Sequence, residues 1–275
     1  MLQIMKGFNG QSARNSHVGD LNRFLRNVLV EVAAENYRQT MFEMMAVTSG
    51  GNMEGRFDLD PPLRANERVM SGLFATAISR VASRSRTEVR IDRSDREQSL
   101  AAIENKNEGD LSPGAKHGRV DFLAWYGGRV IAVELKMVGM NCESPAVTKQ
   151  IRDRWAKVLD QAGTAQNYLR ARQREDIKRY RAPISIALMV VVGRRNADRA
   201  KFTDLNKDLR KMQNACATKL AELTPKPVFR AIYTFPEEFR GVVPRPKGVS
   251  KPVDGRAVYT PFVLFIAKAA VNSRS

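Results

Sequence analysis

The feature that most constrains this chain is an apolar stretch interrupted by two adjacent glycines, VDFLAWYGGRVIAVELK, at residues 120–136. Two successive glycines favour a type I′ turn, because that turn needs a positive φ at both of its central positions. The flanking residues are mostly β-branched, aliphatic or aromatic, as is typical of buried strands. The stretch therefore predicts a β-hairpin with Gly127 and Gly128 at its turn.

The turn also sets the register of the two strands. If the two glycines form the loop, Tyr126 opposes Arg129, and counting outward places Asp121 opposite Glu134. Lys136 follows on the same face, because side chains alternate along a strand. Opposed Cβ atoms on neighbouring strands are roughly 4.5–5.5 Å apart. The register predicts two carboxylates and one ammonium group side by side.

The two faces of the hairpin differ in polarity. One face is expected to enter the core and carries Val120, Phe122, Ala124, Tyr126, Ile131, Val133 and Leu135. The other face carries the charged residues Asp121, Glu134 and Lys136, with apolar residues near the turn. Opposed carboxylates on a half-buried sheet repel each other and cost stability. A positive charge between them removes that cost, and both Lys136 and a hard divalent cation with oxygen ligands could supply it.

An Asp, a β-turn and then Glu-x-Lys resemble the signature of the PD-(D/E)xK, or restriction-endonuclease-like, nucleases. Asp121 matches the first carboxylate of that signature, and Glu134 and Lys136 match its last pair. No proline precedes Asp121, where Gly118-Arg119-Val120 stands. The QxxxY motif of some branches is not met either, since Gln161 and Tyr168 are seven residues apart.

The order of elements agrees with this resemblance, which implies an α/β fold with an αβββαβ core around a mixed central sheet. Apolar periodicity predicts a helix at 63–82, a strand at 87–91, the hairpin, a long basic helix at 148–179 and a buried strand at 184–192. The predicted organisation is an N-terminal helical extension (1–62), a nuclease core (63–192) and a basic α/β extension (193–275) on the same domain. That extension is expected to hold a helix at 197–223, strands at 228–235 and 258–267, and a loop at 240–256.

The resemblance implies a mechanism. Asp121, Glu134 and the backbone carbonyl of Leu135 would hold Mg²⁺, for which Mn²⁺ could substitute, and the ion would polarise the scissile phosphate. Lys136 would orient the attacking water or stabilise developing charge. A further catalytic carboxylate is expected from the first helix or strand, where Glu67 is preferred to Glu88.

The charge of the chain is unevenly distributed. Residues 1–148 have a net charge of +1, whereas residues 149–275 have +16. A cationic second half predicts a polyanionic partner, with nucleic acid preferred to an anionic membrane surface. The alternative is an ordinary solvated basic face. The candidate nucleic-acid contacts are Lys149, Arg152, Lys157, Gln161, Lys247 and Lys251.

Several classes of protein are disfavoured by composition. Two cysteines outside any CxxC pattern and two histidines suggest neither a disulfide framework nor a structural zinc site. The N-terminus lacks the pattern of a secretory signal, and the longest apolar run, 258–271, is too short and broken to span a bilayer. A cytoplasmic protein without a membrane partner is therefore expected.

These observations predict a metal-dependent nuclease that hydrolyses phosphodiester bonds, with DNA the favoured substrate and endonuclease preferred to exonuclease. Two alternatives stay open: an RNase with the same site, and a nucleic-acid-binding protein that has this fold but does not cleave. A homodimer through the helix predicted at 20–46 is a further hypothesis.

Overall fold

A computed structural model describes residues 1–5, 16–49, 61–92, 117–176, 181–198, 207–242 and 256–270. The helices are α1 (Ser16–Ser49), α2 (Glu67–Val81), α3 (Lys149–Asp176) and α4 (Leu209–Leu220), with short 3₁₀ turns at Pro62–Arg64 and Glu237–Phe239. The strands are β1 (Leu2–Ile4), β2 (Arg84–Asp92), β3 (His117–Tyr126), β4 (Arg129–Asn141), β5 (Arg181–Asp198), β6 (Phe229–Thr234), β7 (Gly241–Val242), β8 (Arg256–Tyr259) and β9 (Phe262–Ala270).

One mixed sheet organises the described residues. Its main path is β1-β6-β9-β5-β4-β3-β2, and the short β7–β8 ribbon joins it through the end of β5. Only β4 and β5 pair in parallel, with α3 connecting them, whereas the other pairs are antiparallel. A parallel pair needs a crossover connection, which α3 provides. The predicted α/β class with a mixed central sheet is confirmed.

Helices cover both faces of this sheet. Helices α1 and α2 pack with one face around Phe24, Phe74 and Phe265, in the largest buried cluster. Helices α3 and α4 pack on the other face around Trp155 and Phe262. Strand β5 is buried on both faces between Ile184 and Val192, which accounts for its apolar sequence.

The predicted hairpin is confirmed at its turn. Gly127 and Gly128 have φ of +58° and +73°, which a residue with a side chain adopts at a cost. Tyr126 pairs with Arg129, and the ladder continues in the predicted register as far as Phe122 and Val133. The loop chemistry therefore determined the register of the neighbouring strands.

Three predicted elements were wrong in detail. The helix predicted at 197–223 is wrong at its start, because Ala197 and Asp198 continue β5 and pair with β8, while α4 covers Leu209–Leu220 and residues 199–206 lie outside the described residues. The strand predicted at 258–267 is two strands separated at Thr260 and Pro261. The N-terminal segment, predicted as helical, also supplies β1, which pairs with β6. Each error involves pairing between distant segments, which local periodicity does not encode.

The predicted domain bounds at residues 62 and 192 stay a prediction. The described sheet runs through all three predicted segments without interruption. In the described parts of the chain, none of the helices combines the length and apolar character needed to cross a membrane.

Candidate active site

Strands β3 and β4 part at Asp121, and the gap between them is lined by carboxylates. Beyond the pair Phe122–Val133, the Leu135 N–H donates to Asp121 Oδ2 at 2.7 Å. Two residues on, the Met137 N–H donates to Glu67 Oε2 at 3.2 Å. Two acidic side chains thus take the place of a neighbouring strand as hydrogen-bond acceptors. We call this gap the fork.

The fork begins at a position where β2 and β3 both interrupt the regular alternation of side chains between the two faces of the sheet. The ladder between these strands omits the opposed residues Glu88 and Asp121, although its register is the same on both sides of them. Val120 lies in a cluster with Leu123, whereas Phe122 lies in the cluster on the other face. The prediction that Val120 shares a face with Phe122 is therefore wrong.

Glu88 supports this description, because its φ is +50°, which is unusual for a residue other than glycine. One residue in each strand stands outside the regular alternation, as in a pair of opposed bulges. Asp121 consequently points neither into the core nor away from it. Its carboxylate lies towards the backbone of β4, as the hydrogen bond from Leu135 requires.

Lys136 reaches into the fork. It is only 8% exposed, and its Nζ donates to Glu67 Oε1 at 3.2 Å and to the Leu135 carbonyl at 3.0 Å. The lysine therefore neutralises part of the negative charge that Glu67 brings from the first turn of α2. The helix holds Glu67 there because Asn66 caps it, accepting from the Val69 N–H.

Glu134 is almost fully buried, with 1% of its surface exposed. On the same face of β4, Val130 and Ala132 pack with the second half of α3, while Val138 and Met140 pack with the first half. Glu134 and Lys136 thus lie under the middle of α3. Glu134 has an interaction partner, yet its Oε2 atom accepts no hydrogen bond from the described residues.

Burial raises the pKa of Asp121 above its ordinary value of 3.8. The N–H of Leu135 and the ammonium group of Lys136 oppose that shift, while the carboxylates of Glu67 and Glu88 add to it. A cation placed in the fork would favour the ionised form. The raised pKa therefore indicates a carboxyl group for which the fork supplies too little positive charge.

The residues of the fork partly fit a divalent metal ion. Asp121, Glu134 and the Leu135 carbonyl offer the oxygen ligands that Mg²⁺ prefers. Within the residues that the structure describes, however, no three His, Cys, Asp or Glu side chains cluster closely enough to hold a metal ion. In the fork, backbone N–H groups and Lys136 donate hydrogen bonds to oxygens of Asp121 and Glu67.

The structure separates the two candidates for a further carboxylate. Glu67 contacts Lys136 and the backbone of β4, as described above. Glu88 instead forms an ion pair with Arg119 at 3.1 Å, and both side chains are more than half exposed. Glu67 is therefore the one that the fold brings into the fork, and a catalytic role for it stays a prediction.

The candidate contacts on α3 lie in different environments. Lys149 is exposed and paired with Asp153 at 2.6 Å, and Arg152 donates to the Val147 carbonyl at 2.7 Å. Lys157 is exposed, whereas Gln161 is half-buried and its Oε1 accepts no hydrogen bond within the described chain. Lys247 and Lys251 lie outside the described residues.

Trp155 and Arg154 are adjacent on α3, and neither was among the site residues predicted from the sequence. Trp155 is buried, and its Nε1 donates to the Pro225 carbonyl at 3.0 Å, so it belongs to the packing of α3. Arg154 lies with its NH1 3.8 Å from Glu67 Oε2, at the edge of the fork. Arg154 is seven residues, or two helical turns, before Gln161, so the two share a face of α3. That spacing was the signal in the sequence that could have placed Arg154 near the site.

The fold and fork define a mixed α/β protein with a cluster of acidic and basic side chains where two central strands diverge. Searches of family models, curated proteins and solved structures each found no match to this chain.

Proposed function

We propose that this chain is a metal-dependent nuclease that cleaves phosphodiester bonds, with DNA as the favoured substrate. The observation that carries the proposal is the fork, where Asp121 and Lys136 contact the backbone of Leu135 and Glu67 contacts Lys136, beside the buried Glu134. The order α2-β2-β3-β4-α3-β5 supports it, because it is the αβββαβ order that the resemblance to PD-(D/E)xK nucleases implies.

Under this proposal the carboxylates bind the cofactor. Asp121, Glu134 and the Leu135 carbonyl would hold Mg²⁺ or Mn²⁺. When bound, the ion supplies Lewis-acid polarisation of the scissile phosphate. Burial of the Asp121 carboxylate costs free energy, and the nearby carboxylates of Glu67 and Glu88 add to that cost, as its raised pKa indicates. That cost is the physical reason to expect an ion here.

Lys136 is the candidate for stabilising charge that develops during cleavage. Its Nζ has two acceptors in the fork, Glu67 Oε1 and the Leu135 carbonyl, so its position is fixed by the fold. An ammonium donor fixed in a largely water-excluded site can stabilise a developing oxyanion without first reorganising. Glu67 is then a positioning residue for Lys136.

Arg154 is the candidate for contacting the phosphodiester from the α3 side. It is half-buried, and the 3.8 Å separation from Glu67 is longer than a hydrogen bond. A guanidinium group in this position can bind a phosphate oxygen with two parallel N–H groups. The basic surface of the second half of the chain would add affinity that falls as salt rises.

One observation favours a second candidate, a nucleic-acid-binding protein that does not cleave. In the described residues the fork oxygens accept hydrogen bonds from backbone N–H groups and Lys136, and no cluster of three metal-binding side chains is formed. A fork used only for structure would have these contacts. The two candidates differ in whether divalent ions bind and whether phosphodiester bonds break.

The test is cleavage of labelled single-stranded, duplex and branched DNA, with matched RNA, in Mg²⁺, Mn²⁺ or EDTA. We expect ion-dependent cleavage, and at least about a 10²-fold loss in Asp121→Asn and in Lys136→Met. Arg26→Gln, a charge change on the exposed surface of α1, is the control. Cleavage of RNA alone would establish the RNase alternative.

Thermal unfolding with and without Mg²⁺ gives a second readout. We expect the ion to raise the melting temperature of the wild type and to leave Asp121→Asn unchanged. Binding of nucleic acid without cleavage under any ion, and with no thermal shift, would reject the enzyme in favour of the binding protein.

A further inference from the structure

Two arginines oppose each other on the last strand pair of the sheet, close to the fork. Arg90 on β2 and Arg119 on β3 are registered partners, and both side chains are exposed. Opposed Cβ atoms in such a pair are roughly 4.5–5.5 Å apart, and like charges placed opposite each other destabilise a sheet. The two opposed positive charges therefore require a compensating negative charge, and a bound anion would supply it.

The location of the pair connects it to the fork. Arg119 is two residues before Asp121, and Arg90 is two residues after Glu88, the partner of Asp121 in the paired bulge. Their neighbours Val89, Ile91 and Val120 pack in the cluster that includes residues of α3. Alternation along the strands then directs Arg90 and Arg119 to the opposite face, on which α2 packs.

Glu88 is the acidic partner that the structure gives to this pair. It contacts Arg119 at 3.1 Å, with 69% of its side chain and 54% of that of Arg119 exposed. An ion pair this exposed is weak and is further weakened by salt. Glu88 also has the unusual φ of +50° noted above, and such backbone conformations tend to occur at functional sites.

We propose that Arg90 and Arg119 form a phosphate-binding subsite for a nucleic-acid strand, and that a backbone phosphate displaces Glu88 from Arg119. This inference rests on the proposed function and extends it, because it identifies where the substrate backbone is held. The subsite lies along the β2–β3 pair, on the side of the fork away from Arg154.

Phosphate is the anion that this arrangement fits best. Guanidinium groups bind phosphate oxygens with paired N–H donors, and two of them at this separation can contact one phosphate or two consecutive ones. The carboxylates of the fork repel a polyanion, so cationic side chains beside them are needed to hold it there. The contact is with the backbone and therefore predicts no preference for sequence.

The test measures binding of a labelled DNA strand by fluorescence anisotropy across a range of salt, in the full chain with Asp121→Asn to prevent cleavage. Arg90→Gln and Arg119→Gln are compared with Arg210→Gln, an exposed arginine on α4. We expect each of the first two to weaken binding about 5- to 10-fold and to lower the salt slope by about 0.7, the contribution of one phosphate contact in a single strand. Glu88→Gln should tighten binding about 2- to 5-fold, since the phosphate no longer competes with a carboxylate.

Two further arms make the outcome decisive. Arg119→Lys keeps the charge but loses the paired donors, so it should fall between the wild type and Arg119→Gln. Thermal unfolding checks that each variant is folded. If the arginine variants bind like the Arg210→Gln control, while the chain with Asp121 intact cleaves nucleic acid, the subsite alone is overturned. A protein that binds neither DNA nor RNA would overturn both the subsite and the proposed function.

Discussion

The two ends of the β3–β4 hairpin differ in what accepts their backbone hydrogen bonds and in the polarity of their side chains. Near the turn, the ladder from Tyr126–Arg129 to Phe122–Val133 is regular, and the side chains on both faces are mostly buried and apolar. At the other end the ladder stops, and the carboxylates of Asp121 and Glu67 accept backbone hydrogen bonds. One pair of strands thus contains a conventional core and a charged cluster.

The difference shows how a sheet can hold charge without losing its register. The turn end fixes the relative position of β3 and β4 through packing and main-chain hydrogen bonds. The fork end inherits that position, so the Asp121 carboxylate is held against the Leu135 N–H even though Asp121 is unfavourably desolvated. We therefore expect changes at the turn end to lower stability and changes at the fork to affect chemistry.

The largest effect on stability is expected from Ile131→Ala. Ile131 is fully buried opposite Ala124, and its truncation leaves a cavity in the largest cluster. The free energy of unfolding should fall by about 3 kcal/mol, measured by urea denaturation. Cleavage per folded molecule should be unchanged below the unfolding transition. A selective loss of cleavage in the folded protein would show that the two ends are not separable.

A smaller effect is expected from Gly128→Val at the turn. A β-branched residue at a φ of +73° should cost about 1–2 kcal/mol relative to glycine. Gly128→Asn is the matched control, because asparagine tolerates this region better and should lose less. Equal losses in the two variants would argue against backbone conformation as the cause.

Asp121→Asn is expected to change stability in the opposite direction. Because burial raises the pKa of Asp121, ionisation costs the folded state more than the unfolded state, and stability is lost as pH rises through the raised pKa. The asparagine variant should therefore be more stable than the wild type by about 1 kcal/mol at neutral pH without metal. The advantage should vanish below the ordinary pKa of 3.8. A less stable variant at every pH would contradict this account.

The smallest effect is expected from Glu35→Gln on α1. The pKa of Glu35 is lowered, in contrast to the raised pKa of Asp121. Hydrogen bonds from Gln39 and Arg80 lower the pKa of Glu35, which joins α1 to α2 through Arg80 at 2.7 Å. Its stabilisation is present at neutral pH and is lost as pH falls through the lowered pKa. The variant should lose up to about 1 kcal/mol at neutral pH and little in acid. The pH dependence of the two carboxylates should thus have opposite signs.

Much of this fold could be predicted, because the decisive signals are local. The two glycines fixed the register, and helical periodicity located α1, α2 and α3 to within a few residues. The apolar run at 184–192 identified the buried strand β5. The start of the helix predicted from residue 197 and the single strand at 258–267 were wrong, because the end of β5 is determined by pairing with β8.

The chain by itself predicted that Asp121, Glu134 and Lys136 lie near one another, since a two-residue turn and strand alternation follow from local sterics. The described contacts bring Asp121 and Lys136 to the backbone of Leu135. Only the tertiary structure decided that Asp121 and Glu88 interrupt that alternation together and that Glu67 enters the fork from α2. It also decided that α3 covers Glu134. These features depend on contacts between segments far apart in sequence, whose energies no local pattern records.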